Sequence, residues 1–235
     1  ATAADSLAVI EKYVFGEKTI SKKTLIEAVD SNFEKHGELL PILRYEAPKM
    51  GNNDCIADNS AIMLLDAFSA ALDGRVNCRG GKFRAGTGSA MYYLWHADEI
   101  GASPDGRRAK EPFGTNISPS LFARINGPIS VVRSFTKPDF TKTINGGPLT
   151  LEFASSMFDG EDCIKKVAML VKTFIDMGGH QLQLNAVNSE VMKDAQIHPE
   201  NHRQLVVRIW GWSAYFVELD KEYQDHVMSR QQYSV

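Results

Sequence analysis

The chain has 235 residues, of which 43% are hydrophobic and 23% charged, and its formal net charge at pH 7 is −3. This composition is typical of a soluble globular protein with a sizeable core and excludes a disordered chain. The mildly acidic balance also argues against nucleic acid or an anionic membrane as the main partner.

The compartment is predicted from three further features of the sequence. No apolar run approaches the roughly 18–20 residues of a membrane span, and the N-terminus lacks the charged-then-apolar pattern of a secretory signal. Three cysteines, Cys55, Cys78 and Cys163, form no short-spaced pair, so we expect no disulfide framework and a cytoplasmic location. A helical pattern starts directly at Ala1, which predicts a processed, cut or split polypeptide, or loss of an initiator methionine.

Residues 1–75 are predicted to be a helical segment. Ser21 is placed to cap a helix, because a serine hydroxyl accepts hydrogen bonds from the free N–H groups of a first turn. Proline, glycine and asparagine in residues 41–54 predict a loop. Apolar residues at helical spacing then predict an amphipathic helix over residues 56–72.

Residues 76–155 lose this helical periodicity and are rich in Gly, Pro, Ser and Thr. The apolar run at residues 90–95 predicts a strand buried on both faces. Residues 101–108 form a turn-rich loop, and residues 149–153 again have the pattern of a strand. This second segment is therefore predicted to consist of strands joined by long loops.

Residues 156–235 alternate between helical and strand patterns. A helix is predicted over residues 159–177, with Gly178 as its C-cap. The elements that follow are a strand at 181–187, a helix at 188–195, a strand at 205–209 and a helix at 220–230. Strands alternating with helices predict the α/β fold class. The long, loop-rich connections argue against a simple doubly wound sheet.

One glycine stands out because it lies between two tryptophans, directly after an apolar strand. Gly211 follows Trp210 and precedes Trp212, and Phe216 lies four residues further on. Glycine suits a positive φ or a close approach of another group. By itself this local sequence favours a tight turn packed by aromatic side chains.

Five stretches in order resemble the family of glycyl radical enzymes that includes pyruvate formate-lyase and glycerol dehydratase. The stretch around Gly211, Arg-Ile-Trp-Gly-Trp-Ser-Ala-Tyr-Phe, resembles the radical motif of that family. The other stretches are residues 101–109 with 117–120, 178–185, 194–200 and 218–225. Together they cover residues from about 75 to 230, so the resemblance does not depend on one motif.

The resemblance implies a fold and a chemistry. The fold is the C-terminal portion of a ten-stranded barrel made of two half-barrels, with residues 76–155 as part of that barrel and 156–235 as the radical domain. Gly211 would hold a backbone radical that a separate radical S-adenosylmethionine activase with an iron–sulfur cluster installs, with no cofactor bound. Trp210, Trp212 and Phe216 would exclude water and oxygen. The reaction would be anaerobic lyase, dehydratase, decarboxylase or acyltransferase chemistry on a small molecule, in a homodimeric enzyme.

In that family the radical passes to a cysteine several hundred residues before the glycine, and the three cysteines here lie in nothing that resembles its loop. We therefore expect no catalysis by this chain alone and place the thiol in another part of the enzyme or in another chain. The alternatives are a non-catalytic scaffold or interaction subunit, and a stand-alone spare radical domain. His198 and His202 are four residues apart, but no third ligand is evident and no metal site is expected.

Overall fold

The computed structural model describes residues 1–89, 92–209, 211–230 and 232–233. It is a mixed α/β chain, as predicted. The helices are α1 (Thr2–Val9), α2 (Lys22–Asp30), α3 (Leu39–Pro41), α4 (Cys55–Leu72), α5 (Tyr93–Glu99), α6 (Pro128–Phe135), α7 (Glu161–Asp176), α8 (Ser189–Ile197) and α9 (Lys221–Ser229). The strands are β1 (Leu149–Ala154), β2 (Leu182–Val187), β3 (Val206–Arg208), β4 (Ser213–Tyr215) and β5 (Gln232–Tyr233). Short π turns, Ile10–Gly16 and Ile42–Glu46, continue α1 and α3.

β1 is the centre of a three-stranded parallel sheet in the order β2–β1–β5. Leu149 pairs with Leu182 where β1 and β2 begin, and Phe153 pairs with Tyr233 on β5. Leu149, Leu151 and Phe153 are almost fully buried, as expected for a parallel strand covered by helices. β3 and β4 form a separate antiparallel hairpin.

The predicted helix caps are confirmed. The Ser21 hydroxyl accepts a hydrogen bond from the N–H of Thr24 at 3.0 Å. Gly178 follows α7 with a φ of 76°, and the next N–H, of Gly179, reaches back to the carbonyl of Phe174 at 2.9 Å. This is the left-handed ending that glycine favours. The predicted elements after residue 156 match α7, β2, α8, β3 and α9 to within two residues at each end.

The predicted strand at residues 90–95 is wrong. Residues 90 and 91 lie outside the described part of the chain, and helix α5 begins at Tyr93. Tyr93, Leu94 and Ala97 are buried, whereas Trp95 is 56% exposed. Buried positions that lie one and four residues apart have helical spacing. A short apolar run does not distinguish a buried strand from a buried helix, which explains the error.

Helix α6 is absent from the sequence prediction, and the predicted loop at residues 41–54 begins with the helical turn Ile42–Glu46. The sequence carries a start signal for α6, because Pro128 occupies its first turn directly after Gly127. Its buried side chains include Val131 and Phe135, one turn apart. The helix was missed because it is short and lies in a glycine-rich part of the sequence.

Three clusters of buried apolar side chains hold the chain together. The first joins β1 to α1, α4, α6 and α7, and the second lies within residues 9–47. The third packs α5, α8 and α9 against the β3–β4 hairpin and includes Phe216. The hairpin is therefore supported from one side by a core of its own.

Helix α4 has 18 residues, a mean hydropathy of 1.4, and 22% of its residues buried. By length and composition alone, α4 is the one helix within the described ranges that could cross a membrane. The prediction that no apolar run is long enough to do so is therefore wrong for α4. Core helices meet the same criteria. Its buried side chains are all in the first two turns and include Asp58, which pairs with Lys137.

Candidate functional site

Gly211 lies at the tip of the β3–β4 hairpin. Arg208 pairs with Ser213 at the last position of the ladder. The N–H of Ile209 donates to the carbonyl of Trp212 at 3.0 Å. Gly211 therefore lies at the point where the chain reverses direction between β3 and β4. The glycine singled out in the sequence is the turn residue of a tight hairpin.

The backbone conformation explains why glycine is needed here. Gly211 has a φ of +63°, a left-handed value that strains a residue carrying a Cβ. A Cβ built on Gly211 would meet no heavy atom within 4 Å. Glycine is thus required by the turn and not by crowding from the described side chains.

The structure describes two of the three aromatic residues that were predicted to shield Gly211. Phe216 is fully buried in the cluster under the hairpin, whereas Trp212 is 41% exposed. Trp210 lies outside the described residues. Gly211 itself is exposed. The described residues therefore leave the hairpin tip open.

A cleft of about 410 Å³ lies beside the hairpin tip, and Gly211 forms part of its wall. Residues at the start of β1 and along β2 also line it. Polar residues on the walls are Asn116, Thr150, Gln181, Gln183, Asn185 and Arg208. Among the described residues no cysteine, histidine or carboxylate lines this cleft, so it offers hydrogen-bonding groups and one cation but no acid–base pair.

Buried polar side chains tie the hairpin to the parallel sheet. Arg230 directly follows α9 and donates to the carbonyl oxygens of Arg208 at 2.8 Å and Ile209 at 2.7 Å. Its guanidinium also donates to Oε1 of Glu152 on β1 at 2.9 Å. Asn185 on β2 donates to the same oxygen at 2.9 Å. The incoming arm of the hairpin, which is β3 with Ile209, is thereby fixed to both long strands of the sheet.

These tying residues are absent from the sequence prediction. Arg230 and Glu152 are 78 residues apart, and periodicity carries no information about such a pair. One signal was present: Glu152 is the charged residue in a strand that also carries Leu149, Leu151 and Phe153. A carboxylate in a strand that is buried on both faces needs a cationic or hydrogen-bonding partner.

Two ionisable rings lie within the core under the hairpin. Tyr93 and His226 have ring centroids 4.5 Å apart. Burial lowers the pKa of His226 to about 3, and the Arg230 guanidinium acts in the same direction. Burial also raises the pKa of the Tyr93 phenol, with Arg230 acting against that change. Both rings are therefore neutral at physiological pH, and an imidazole with so low a pKa is a weak base.

The cysteines and the paired histidines lie elsewhere. Cys55 and Cys78 are exposed and Cys163 is partly exposed. His202 pairs with Asp194, while His198 lies near Glu200, so the two histidines have different partners. No group of three or more His, Cys, Asp or Glu within the described ranges is arranged to hold a metal ion.

Two family models match the chain. The one described as "Glycine radical" matches residues 113–217, which include the hairpin and the cleft. The one described as "Pyruvate formate lyase-like" matches residues 1–95.

Relatives and solved structures are similar over nearly the whole chain. Trans-4-hydroxy-L-proline dehydratase of Clostridioides difficile is 34% identical over 97% of this chain and 29% of its own length. Indoleacetate decarboxylase of Tractidigestivibacter scatoligenes is 30% identical, with the same coverage. The B12-independent glycerol dehydratase from Clostridium butyricum superposes with a TM-score of 0.96 and 29% identity, over 100% of this chain and 30% of its own. The chain thus spans about 30% of the length of these proteins.

Proposed function

This chain belongs to the glycyl radical enzyme family, and from that membership we propose that it is the radical-bearing C-terminal part of such an enzyme, with Gly211 storing the radical. The observation that carries the proposal is the position of Gly211. It is the tip residue of a tight hairpin within the segment that matches the glycine radical model, and it borders a cleft.

The chemistry of a backbone radical accounts for the choice of residue. Loss of one hydrogen atom from the Cα of Gly211 leaves an unpaired electron that the flanking amides delocalise. The planar centre has no side chain to crowd it. A separate radical S-adenosylmethionine activase would remove that hydrogen, and this chain would then need no bound cofactor.

During turnover the radical would move by successive hydrogen-atom transfers. The Gly211 radical takes a hydrogen atom from a cysteine thiol that lies outside these 235 residues, leaving a thiyl radical. The thiyl radical takes a hydrogen atom from the substrate, and the rearranged product radical takes it back from the thiol. The regenerated thiyl radical finally removes hydrogen from Gly211 again. The cleft beside Gly211 is the proposed side of contact with the cysteine-bearing region.

The open hairpin tip fits this arrangement. We propose that Phe216 closes the protein side of the tip, and that Trp210 and Trp212 complete the shield only when the remainder of the enzyme covers the cleft. We therefore propose three partners: the activase, the cysteine-bearing remainder of the enzyme, and a second copy of the whole enzyme. The remainder belongs either to the same precursor or to another chain. We also propose the boundaries near residues 75 and 155 and a cytoplasmic location.

The reaction class is proposed from the named relatives. They include dehydratases, a decarboxylase and isethionate sulfite-lyase from Nitratidesulfovibrio vulgaris. We propose anaerobic radical lyase, dehydratase, decarboxylase or acyltransferase chemistry on a small molecule, and these names support the first three of those classes.

The proposal is tested on the intact protein that contains this chain, reduced and incubated anaerobically with a radical S-adenosylmethionine activase. We expect a doublet electron paramagnetic resonance signal, because the remaining Cα hydrogen splits the line. Incorporation of Cα-deuterated glycine should collapse the doublet, and Gly211→Ala should abolish it.

Gly74→Ala is the matched control, because Gly74 has a similar φ of +69° and equally open surroundings. It carries the same backbone strain and should keep the signal. A doublet that persists in Gly211→Ala, or vanishes equally in both variants, contradicts the proposal.

The second candidate is a scaffold or spare radical domain without a catalytic thiol of its own. It is favoured by the finding that none of the three cysteines lines the cleft. Intact mass of every polypeptide in the purified sample separates the candidates. A cysteine-bearing chain in stoichiometric amount, or a longer single chain, supports the enzyme. A single species of 26.1 kDa supports the stand-alone domain.

A further inference from the structure

Arg230 donates to the backbone of the hairpin's incoming arm from outside the hairpin. Its side chain is 6% exposed, and that of its partner Glu152 is 5% exposed. The two carbonyl oxygens that it binds belong to Arg208 and Ile209. Ile209 lies two residues before Gly211, so the guanidinium fixes the backbone immediately ahead of the radical position.

The chain that leaves the hairpin is held by α9, the helix that Arg230 follows. On α9, the Gln224 amide donates to the carbonyl oxygens of Phe216 and Leu219, both at 3.0 Å. Helix α9 and the Arg230 that follows it therefore contact the backbone on both sides of the hairpin tip. A shift of α9 or of Arg230 would be transmitted to Gly211 through main-chain atoms.

Glu152 and Asn185 connect this clamp to the cleft. Asn185 lies on the cleft wall beside Gly211 and donates to Glu152, which in turn accepts from Arg230. Glu152 and Asn185 are directly paired in the β1–β2 ladder. One continuous polar path thus runs from the cleft wall through the sheet to the hairpin backbone.

We propose that Arg230 is a positioning residue that sets the place of Gly211 relative to the cleft. The inference rests on the proposed function of Gly211 and adds the group that orients it. The guanidinium is suited to this task because its rigid fork presents several N–H donors in fixed directions. A lysine would keep a positive charge near Glu152, but its single ammonium on a flexible stem would not hold two carbonyls at once.

Arg230→Lys in the intact protein tests the inference, and Arg203→Lys, at an exposed arginine, is the matched control. The first readout is hydrogen exchange of the Ile209 and Phe216 amides, which close the hairpin ladder. We expect exchange there to accelerate about tenfold or more in Arg230→Lys, because two charge-assisted hydrogen bonds are weakened. Amides of β1 and β2 should exchange as in the wild type.

The second readout is turnover per radical in the anaerobically activated enzyme. Spin counts per chain should remain similar, while kcat per spin falls roughly tenfold to a hundredfold, since small displacements of a reacting group have effects of that size. The Michaelis constant should not change. Arg203→Lys should match the wild type in both readouts.

Unchanged exchange in the hairpin, or unchanged kcat per spin, overturns the positioning role. If Arg230→Lys does not fold, Glu152→Gln is tested instead, because it keeps the side-chain shape and removes the ion pair. Faster exchange confined to the hairpin again supports the inference. Unchanged exchange overturns it. Hairpin-confined acceleration in a protein that never acquires a radical supports the coupling and contradicts the proposed function of Gly211. The two failures are thereby distinguished.

Discussion

Replacing His226 with glutamine is expected to remove an acid-sensitive contribution to the stability of α9. Burial lowers the pKa of His226 from 6.5 to about 3, aided by the Arg230 guanidinium. In the unfolded chain the imidazole titrates near its ordinary value. Because the folded-state pKa is depressed, the stability linked to this histidine is fully present above pH 6.5 and is lost as the pH falls toward 3.

The size of the loss at pH 5 is set by the unfolded chain. At that pH the folded imidazole is still neutral, whereas the unfolded imidazole is protonated in a ratio of about 30 to 1, which costs the folded state about 2 kcal/mol. Asp5 acts in the opposite direction, because burial raises its pKa to about 6. Its contribution cancels when two proteins that both contain Asp5 are compared.

The assay is native-state hydrogen exchange of α9 amides in the intact protein at pH 7.5 and pH 5, expressed as protection factors. Between these pH values the wild type is expected to lose about thirtyfold more protection than His226→Gln. His198→Gln is the control, because the His198 side chain is 53% exposed, and it should follow the wild type. Equal acid sensitivity of the wild type and His226→Gln would refute the reasoning.

Four further substitutions, each test with its own control, examine a close packing contact and a buried ion pair. Gly179→Ala is expected to cost about 1–3 kcal/mol, because its Cβ would lie 2.3 Å from the Phe174 ring. Gly101→Ala, whose Cβ meets nothing within 4 Å, should be near neutral, and urea midpoints compare the two. Lys137→Ala leaves the fully buried Asp58 carboxylate without that cation and should cost about 2–3 kcal/mol, allowing for the 32% exposure of Lys137. Lys172→Ala removes an exposed pair with Asp176 and should cost well under about 1 kcal/mol; equal losses in the two lysine variants would contradict the argument.

Local features of the fold could be predicted from the sequence where one residue type dictates a conformation. Ser21 and Gly178 are such cases, since a capping hydroxyl and a left-handed glycine act within a few residues. The apolar run before Trp95 was ambiguous, because helical and strand burial differ only in which neighbours are covered. That difference depends on the rest of the chain and not on the run itself.

The candidate site was predictable in part for the same reason. Gly211 can be identified from its neighbours in the sequence and from the ordered stretches around it. Its support does not, because Arg230, Glu152 and Asn185 meet only after the sheet and α9 have packed together. The exposure of Trp212 could not be predicted either, because the burial of a large aromatic side chain depends on what faces it.

The short connection at the hairpin tip also limits how this segment can vary among natural sequences. Side chains of successive strand residues point to opposite faces. One inserted or deleted residue near Gly211 would therefore turn β4 over, moving Phe216 out of the core and breaking its N–H bond to the Leu205 carbonyl. Replacements beside Gly211 leave that register intact. Evolutionary change around the tip is thus expected to proceed by exchanging residues while the number of residues stays fixed.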